Sequence, residues 1–146
     1  AAKSLPMSAD PDELRFTLVQ EAILLVEDES ALLNMTRSML ERRGYRVLSA
    51  HSPGEAIAQV VEHGAAIDLV MTDVIMPDLG GRDLALKLLE IQPNLKFLFM
   101  SGHAADVLAQ RGVLDENVHF IQKPFSMKTL AAKVREALEA LEPSGI

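Results

Sequence analysis

Five short apolar runs, each followed by a stretch with helical spacing, constrain this chain more than anything else in it. The runs are AILLV (22–26), RVLSA (46–50), DLVMT (68–72), KFLFM (96–100) and VHFIQ (118–122). Most lack polar alternation, which predicts strands buried on both faces. Between them the apolar residues recur at helical spacing. Residues 30–43 carry Leu32, Leu33, Met35, Met39 and Leu40, and Gly44 suits the position after a helix end. Residues 53–63 point Ala56, Ile57, Val60 and Val61 inward, with Gly64 as the stop. Residues 82–91 set Leu84, Leu88 and Ile91 on one stripe ahead of Pro93. A short helix over 104–110 and a longer one over 126–141, with Leu130, Val134, Leu138 and Leu141 inward, complete the set. Strand–helix alternation of this kind implies a parallel sheet covered by helices on both faces, with right-handed crossovers.

The 146 residues suit one domain with a substantial core. Residues 1–20 read as a linker or N-terminal extension, rich in Pro, Ser and Asp. The domain proper is expected over 21–142, and residues 143–146 form a flexible tail. The chain starts at Ala1 rather than Met, which suggests a piece of a longer protein.

In open sheets of this class ligands bind beyond the C-terminal ends of the strands. Strand one ends in Glu27-Asp28-Glu29, strand three in Asp73, strand four in Ser101-Gly102 and strand five in Lys123-Pro124-Phe125. The topology therefore gathers acids, a hydroxyl and an amine at one rim. Carboxylates packed together repel unless a cation intervenes. A hard divalent ion suits such a set, and Mg2+ is the natural guest, with room left for phosphate oxygens. Lys123 adds a point charge suited to phosphate, and Ser101 a donor. A carboxylate nucleophile, a metal and an amine around one small space make a phosphoryl-acceptor site.

Net charge is −7 with no long basic run, which argues against direct nucleic-acid binding. No cysteine is present, so thiolate chemistry and Cys-based metal sites are excluded. The longest apolar runs are far too short to cross a bilayer, and a cytoplasmic location is expected.

ILLVEDE, LVMTDVIMP, FMSG and QKPF, in this order, resemble the receiver domain of two-component response regulators. The match covers residues 21–141, and Asp28, Asp73, Ser101 and Lys123 follow at spacings of 45, 28 and 22 residues. The resemblance implies a flavodoxin-like (βα)5 three-layer α/β/α sandwich, its five-stranded parallel sheet in the order 2-1-3-4-5. It implies that Asp73 is the phosphoacceptor, served by a partner histidine kinase or histidine phosphotransfer protein. It gives Mg2+ to Asp28 directly, to Glu27 through water, to Asp73, and to Ile75 by its backbone carbonyl. Many receivers carry Asp where Glu27 stands, so this acid is one methylene longer. Lys123 would pair with Asp73 at rest and with a phosphoryl oxygen afterwards, with Lys123-Pro124 cis. Ser101 would be the switch hydroxyl, Gly102 would leave it room, and Phe120 would be the aromatic switch. The face changed by switching is made by the fourth helix, strand five and the fifth helix, which is also a candidate homodimer interface. Ser101-Gly102-His103 and the segment from Val118 to Leu138 further resemble receivers fused C-terminally to hybrid sensor histidine kinases, as in the cell-cycle kinases of alphaproteobacteria. A stand-alone receiver is the alternative. Either way the receiver catalyses its own phosphorylation rather than turning over a substrate.

Plainer readings exist for each piece. Asp28 could cap the first helix, Asp73 could be a turn acid and Phe120 a core aromatic. The methionines, Met35 and Met39 among them, read as core filler. Three other functions fit these residues less well. A flavin carrier of this fold needs a phosphate-holding loop after strand one, where Glu27-Asp28-Glu29 would repel phosphate. A phosphatase of the haloacid dehalogenase type needs a second Asp at position 75, which is Ile. A degenerate, never phosphorylated receiver would not need the intact set Asp28, Asp73, Ser101 and Lys123.

Overall fold

The computed structural model describes residues 21–76, 78–102 and 119–140. Its strands are β1 (Ala22–Val26), β2 (Arg46–Ala50), β3 (Leu69–Asp73), β4 (Lys96–Ser101) and β5 (His119–Gln122). Its helices are α1 (Ser30–Arg42), α2 (Pro53–His63), α3 (Gly81–Ile91) and α4 (Met127–Glu139). The strands form one sheet in the order β2-β1-β3-β4-β5, with every neighbouring pair parallel. The helix expected over 104–110, the linker and the tail lie outside the described residues.

Alternate residues of each strand feed opposite cores. Leu24, Val26, Val70, Phe97 and Phe99 face one way, under Ala56 and Val60 of α2 and Leu84, Ala85 and Leu88 of α3. Ile23, Leu25, Leu69, Met71, Leu98 and Met100 face the other way, under Leu33 and Leu40 of α1 and Leu130, Val134 and Leu138 of α4. This two-sided burial is why the strands read as unbroken apolar runs. Each buried Leu or Phe contributes roughly 1.5–3 kcal/mol.

The caps follow local chemistry. Ser52 and Ser126 each accept the amide N–H of the residue three positions on. The Glu55 carboxylate accepts the His51 amide at 2.6 Å, and Pro53 opens α2. Gly44 takes φ 92, the left-handed conformation that glycine adopts without strain. Gln92 is extended, as the residue before Pro93 must be, and α3 ends there.

Three inward assignments are corrected. Met35 is 52% exposed, and Thr36 takes the core-facing place on α1. Val61 is 67% exposed and Ile91 41%, each at the margin of its helix's apolar stripe. The third strand starts one residue later than predicted: Asp68 spends its carboxylate on the Ala22 amide at 2.8 Å. Gly64 does end α2, but in an ordinary right-handed conformation that opens a 3-10 turn, Gly64–Ala66.

At the N-terminal edge of the sheet, Arg135 of α4 holds the Glu21 carboxylate at 2.5 Å and Glu139 at 3.2 Å. Lys96 donates to the Leu138 carbonyl at 2.6 Å. The last helix is thereby tied to the starts of β1 and β4.

Candidate functional site

The opposite edge carries the chemistry. Glu27 directly follows β1, and its backbone amide donates to Ala50 of β2 at 3.0 Å. Its side chain is buried, and it accepts the Glu29 amide at 3.2 Å. Asp73 is the last residue of β3, opposite Met100, and is 6% exposed. The next amide, Val74, donates to the Met100 carbonyl at 2.9 Å and prolongs the ladder past the acid. Ser101 ends β4 and is buried. The Lys123 amide donates to the Ser101 carbonyl at 2.7 Å, which fixes the start of the lysine segment, and Lys123-Pro124 is cis.

These groups converge on a cavity of about 330 Å³ lined by Glu27, Asp28, Asp73, Ile75, Ser101, Gly102 and Lys123, among others. The Lys123 ammonium lies 2.5 Å from Asp73 Oδ1 and 2.7 Å from Glu27 Oε2. Asp28 is exposed at the mouth. It does not cap α1, whose N-cap is Glu29 and lacks a side-chain cap bond. Ile75 turns its side chain outward, 62% exposed, between the buried Val74 and Met76. Phe120 is half-buried, its ring 5.7 Å from that of Phe99. A Cβ on Gly102 would meet nothing within 4 Å among the described residues.

One ammonium facing two buried carboxylates leaves negative charge uncompensated. Burial, and then the neighbouring Glu27, push Asp73 up from 3.8 to about 7, against the pull of Lys123. Burial would also raise Glu27, but hydrogen bonds with Asp73, Lys123 and the Glu29 amide hold it below its ordinary value. Lys123 is raised, because its two carboxylate partners outweigh its burial.

The donor set fits a hard divalent cation. Glu27, Asp28 and Asp73 each offer a carboxylate oxygen, and those oxygens lie within 4.8 Å of one another. The charge excess gives such an ion a reason to bind. The sequence had pointed to every one of these acids and to Lys123. It had not revealed that Lys123 bridges Glu27 as well as Asp73, nor that Gly81 abuts the Asp73 backbone.

A doubly wound parallel domain with an acidic triad and a lysine at its C-terminal strand tips defines a class of phosphoryl-accepting switches. The chain belongs to the response regulator receiver domain family, whose profile matches residues 23–135. It is a receiver domain of a two-component system, and such receivers act with histidine kinases or phosphotransfer proteins. It is 42% identical over 117 residues to the sensor kinase CckA of Brucella abortus, covering 80% of this chain and 12% of that protein. It is 30% identical over 118 residues to the receiver protein CpdR of the same organism, covering 81% of this chain and 97% of that protein. The crystal structure of the receiver domain of the hybrid histidine kinase CckA superposes with a TM-score of 0.68 at 35% identity. That superposition covers 81% of this chain and 99% of the other. Among the described residues no helix is long and apolar enough to cross a membrane.

Proposed function

We propose that Asp73 accepts a phosphoryl group from a phosphohistidine on a histidine kinase or histidine phosphotransfer protein. The observation that carries this reading is the shared ammonium: Lys123 holds Asp73 Oδ1 at 2.5 Å and Glu27 Oε2 at 2.7 Å inside an acidic cavity. An Asp73 oxygen attacks phosphorus, the P–N bond breaks, and its electron pair leaves on the imidazole nitrogen, which takes up a proton. Asp28, Asp73 and the Ile75 backbone carbonyl would hold Mg2+ directly, and Glu27 would hold it through water. Bound there, the ion neutralises the carboxylates and the phosphoryl oxygens. Lys123 exchanges its carboxylate for a phosphoryl oxygen. Ser101 turns to the same group, and Phe120 follows inward, shifting the population of one surface state over another. That surface includes β5 and α4 and serves kinase, phosphotransfer or homodimer contacts.

The unit that does this spans residues 21–142, works in the cytoplasm and touches no nucleic acid. The likeness to CckA supports a hybrid histidine kinase as the parent, and the likeness to CpdR a stand-alone receiver. Ile75, exposed beside the cavity, flanks the path of attacking water; His103, for which the sequence suggests the same role, lies outside the described residues. An unchanged phosphoryl half-life in Ile75→Asn would refute that role. The main reading is tested by intact mass after incubation with acetyl phosphate, with and without Mg2+, in the wild type and Asp73→Asn. One phosphoryl group dependent on both Mg2+ and Asp73 is expected. No uptake by the wild type would refute the reading and leave a degenerate interaction module.

A further inference from the structure

Gly81, the first residue of α3, stands against the backbone of Asp73. A Cβ built on it would lie 2.2 Å from the Asp73 carbonyl oxygen, and 3.1 Å from both the Asp73 carbonyl carbon and Val74 Cα. Conformation does not demand the glycine, because among the described residues only Gly44 has a positive φ. Room demands it. The contact is with backbone, so no side chain can rotate away. Two bonds hold the approach in place. The Gly81 amide donates to the Val74 carbonyl at 2.7 Å, and the buried Thr72 hydroxyl donates to the Asp73 carbonyl at 3.2 Å.

Neither side of this contact is free to yield. Leu84, Ala85 and Leu88 are fully buried and anchor α3 to the sheet. Asp73 ends a central strand between β1 and β4. An added methyl group would therefore be absorbed in the Asp73–Val74 peptide between them. That peptide carries the carboxylate whose oxygen must stay within 4.8 Å of those of Glu27 and Asp28.

We propose that Gly81 is a positioning residue for phosphoryl acceptance: the side chain it lacks lets α3 seat on the Asp73 peptide and hold that carboxylate in ligand range of Glu27 and Asp28. This rests on the reading that Asp73 is the acceptor and that these acids hold Mg2+. The site is sensitive to such shifts because outer residues that orient metal ligands change affinity by about tenfold or more.

The test is Gly81→Ala beside Gly54→Ala, where a Cβ would meet only Ser52 Oγ at 3.9 Å. Mg2+ is titrated without a phosphodonor and followed by amide chemical shifts, and thermal unfolding is recorded separately. Gly81→Ala should bind Mg2+ about tenfold or more weakly at temperatures where it is fully folded. Its acetyl phosphate labelling should need correspondingly more Mg2+, while Gly54→Ala matches the wild type. A folded Gly81→Ala with wild-type Mg2+ affinity would overturn the proposal, whatever its melting temperature. If Gly81→Ala does not fold, the wild type decides: its Gly81 and Val74 amides must shift with the same Mg2+ midpoint as Asp73, and unmoved amides overturn the proposal. A wild type that binds Mg2+ but never gains a phosphoryl group would instead refute the acceptor role of Asp73.

Discussion

The substitution Asp73→Asn is expected to stabilise the resting domain while abolishing phosphoryl uptake. The carboxylate sits at about 7 in the folded chain against 3.8 ordinarily. The folded state thus holds this proton more tightly than the unfolded chain. Its contribution is complete below pH 3.8, falls as pH rises towards 7, and stays lost above. A shift of about 3 units at ~1.4 kcal/mol per unit amounts to about 4 kcal/mol at pH 8, an upper bound because Glu27 and Lys123 titrate with it. Asn keeps the shape and a hydrogen-bond acceptor for Lys123 but carries no charge. Urea unfolding without Mg2+ should show Asp73→Asn more stable than the wild type by about 2–4 kcal/mol at pH 8, with a much smaller gap at pH 4.5. Adding Mg2+ should close the gap by stabilising the wild type alone. An Asp73→Asn protein less stable than the wild type at pH 8 would show that the Lys123 ion pair outweighs burial and repulsion, and the charge-excess argument would fail.

Lys123→Met removes the cation shared by two buried carboxylates and should cost about 3 kcal/mol at pH 8 without Mg2+. The loss should shrink by pH 5 as a carboxylate takes up a proton, and urea titrations at the two pH values check it. Burial holds His119 below its ordinary 6.5, with Lys133 adding to this and Glu136 opposing it. The His119 contribution should therefore be complete above pH 6.5 and decline as pH falls below it, a decline that His119→Gln should lack in thermal melts at stepped pH. Val60 and Val61 adjoin on α2 but are 2% and 67% exposed. Val60→Ala should cost about 2 kcal/mol, and Val61→Ala no more than about 0.5, by chemical denaturation.

The elements were legible because this architecture writes itself in burial. Strands covered on both faces become continuous apolar runs, and four helices announce themselves by spacing and punctuation, with Gly44, Pro53 and Pro93 each marking a boundary. What spacing could not set was the phase of a stripe. Met35 and Thr36 adjoin, and hydrophobicity alone favours the methionine, yet α1 turns Thr36 inward. The rim acids were legible as strand tips, since topology brings C-terminal ends together whatever the distances. Pairings across the rim were not, because which carboxylate Lys123 reaches depends on side-chain geometry. Gly81 was invisible for another reason. It lies eight residues beyond Asp73, and nothing in GGRDLA says that one of its glycines touches backbone from the preceding strand.

The Arg135 clasp has an architectural consequence. By fastening α4 to Glu21, it sets the first described residue and the end of the last helix side by side, a full strand length from the acidic cavity. Both described chain ends therefore lie at the edge of the sheet opposite the acidic rim. The domain is wired like a plug, with its leads at the back and its contacts in front.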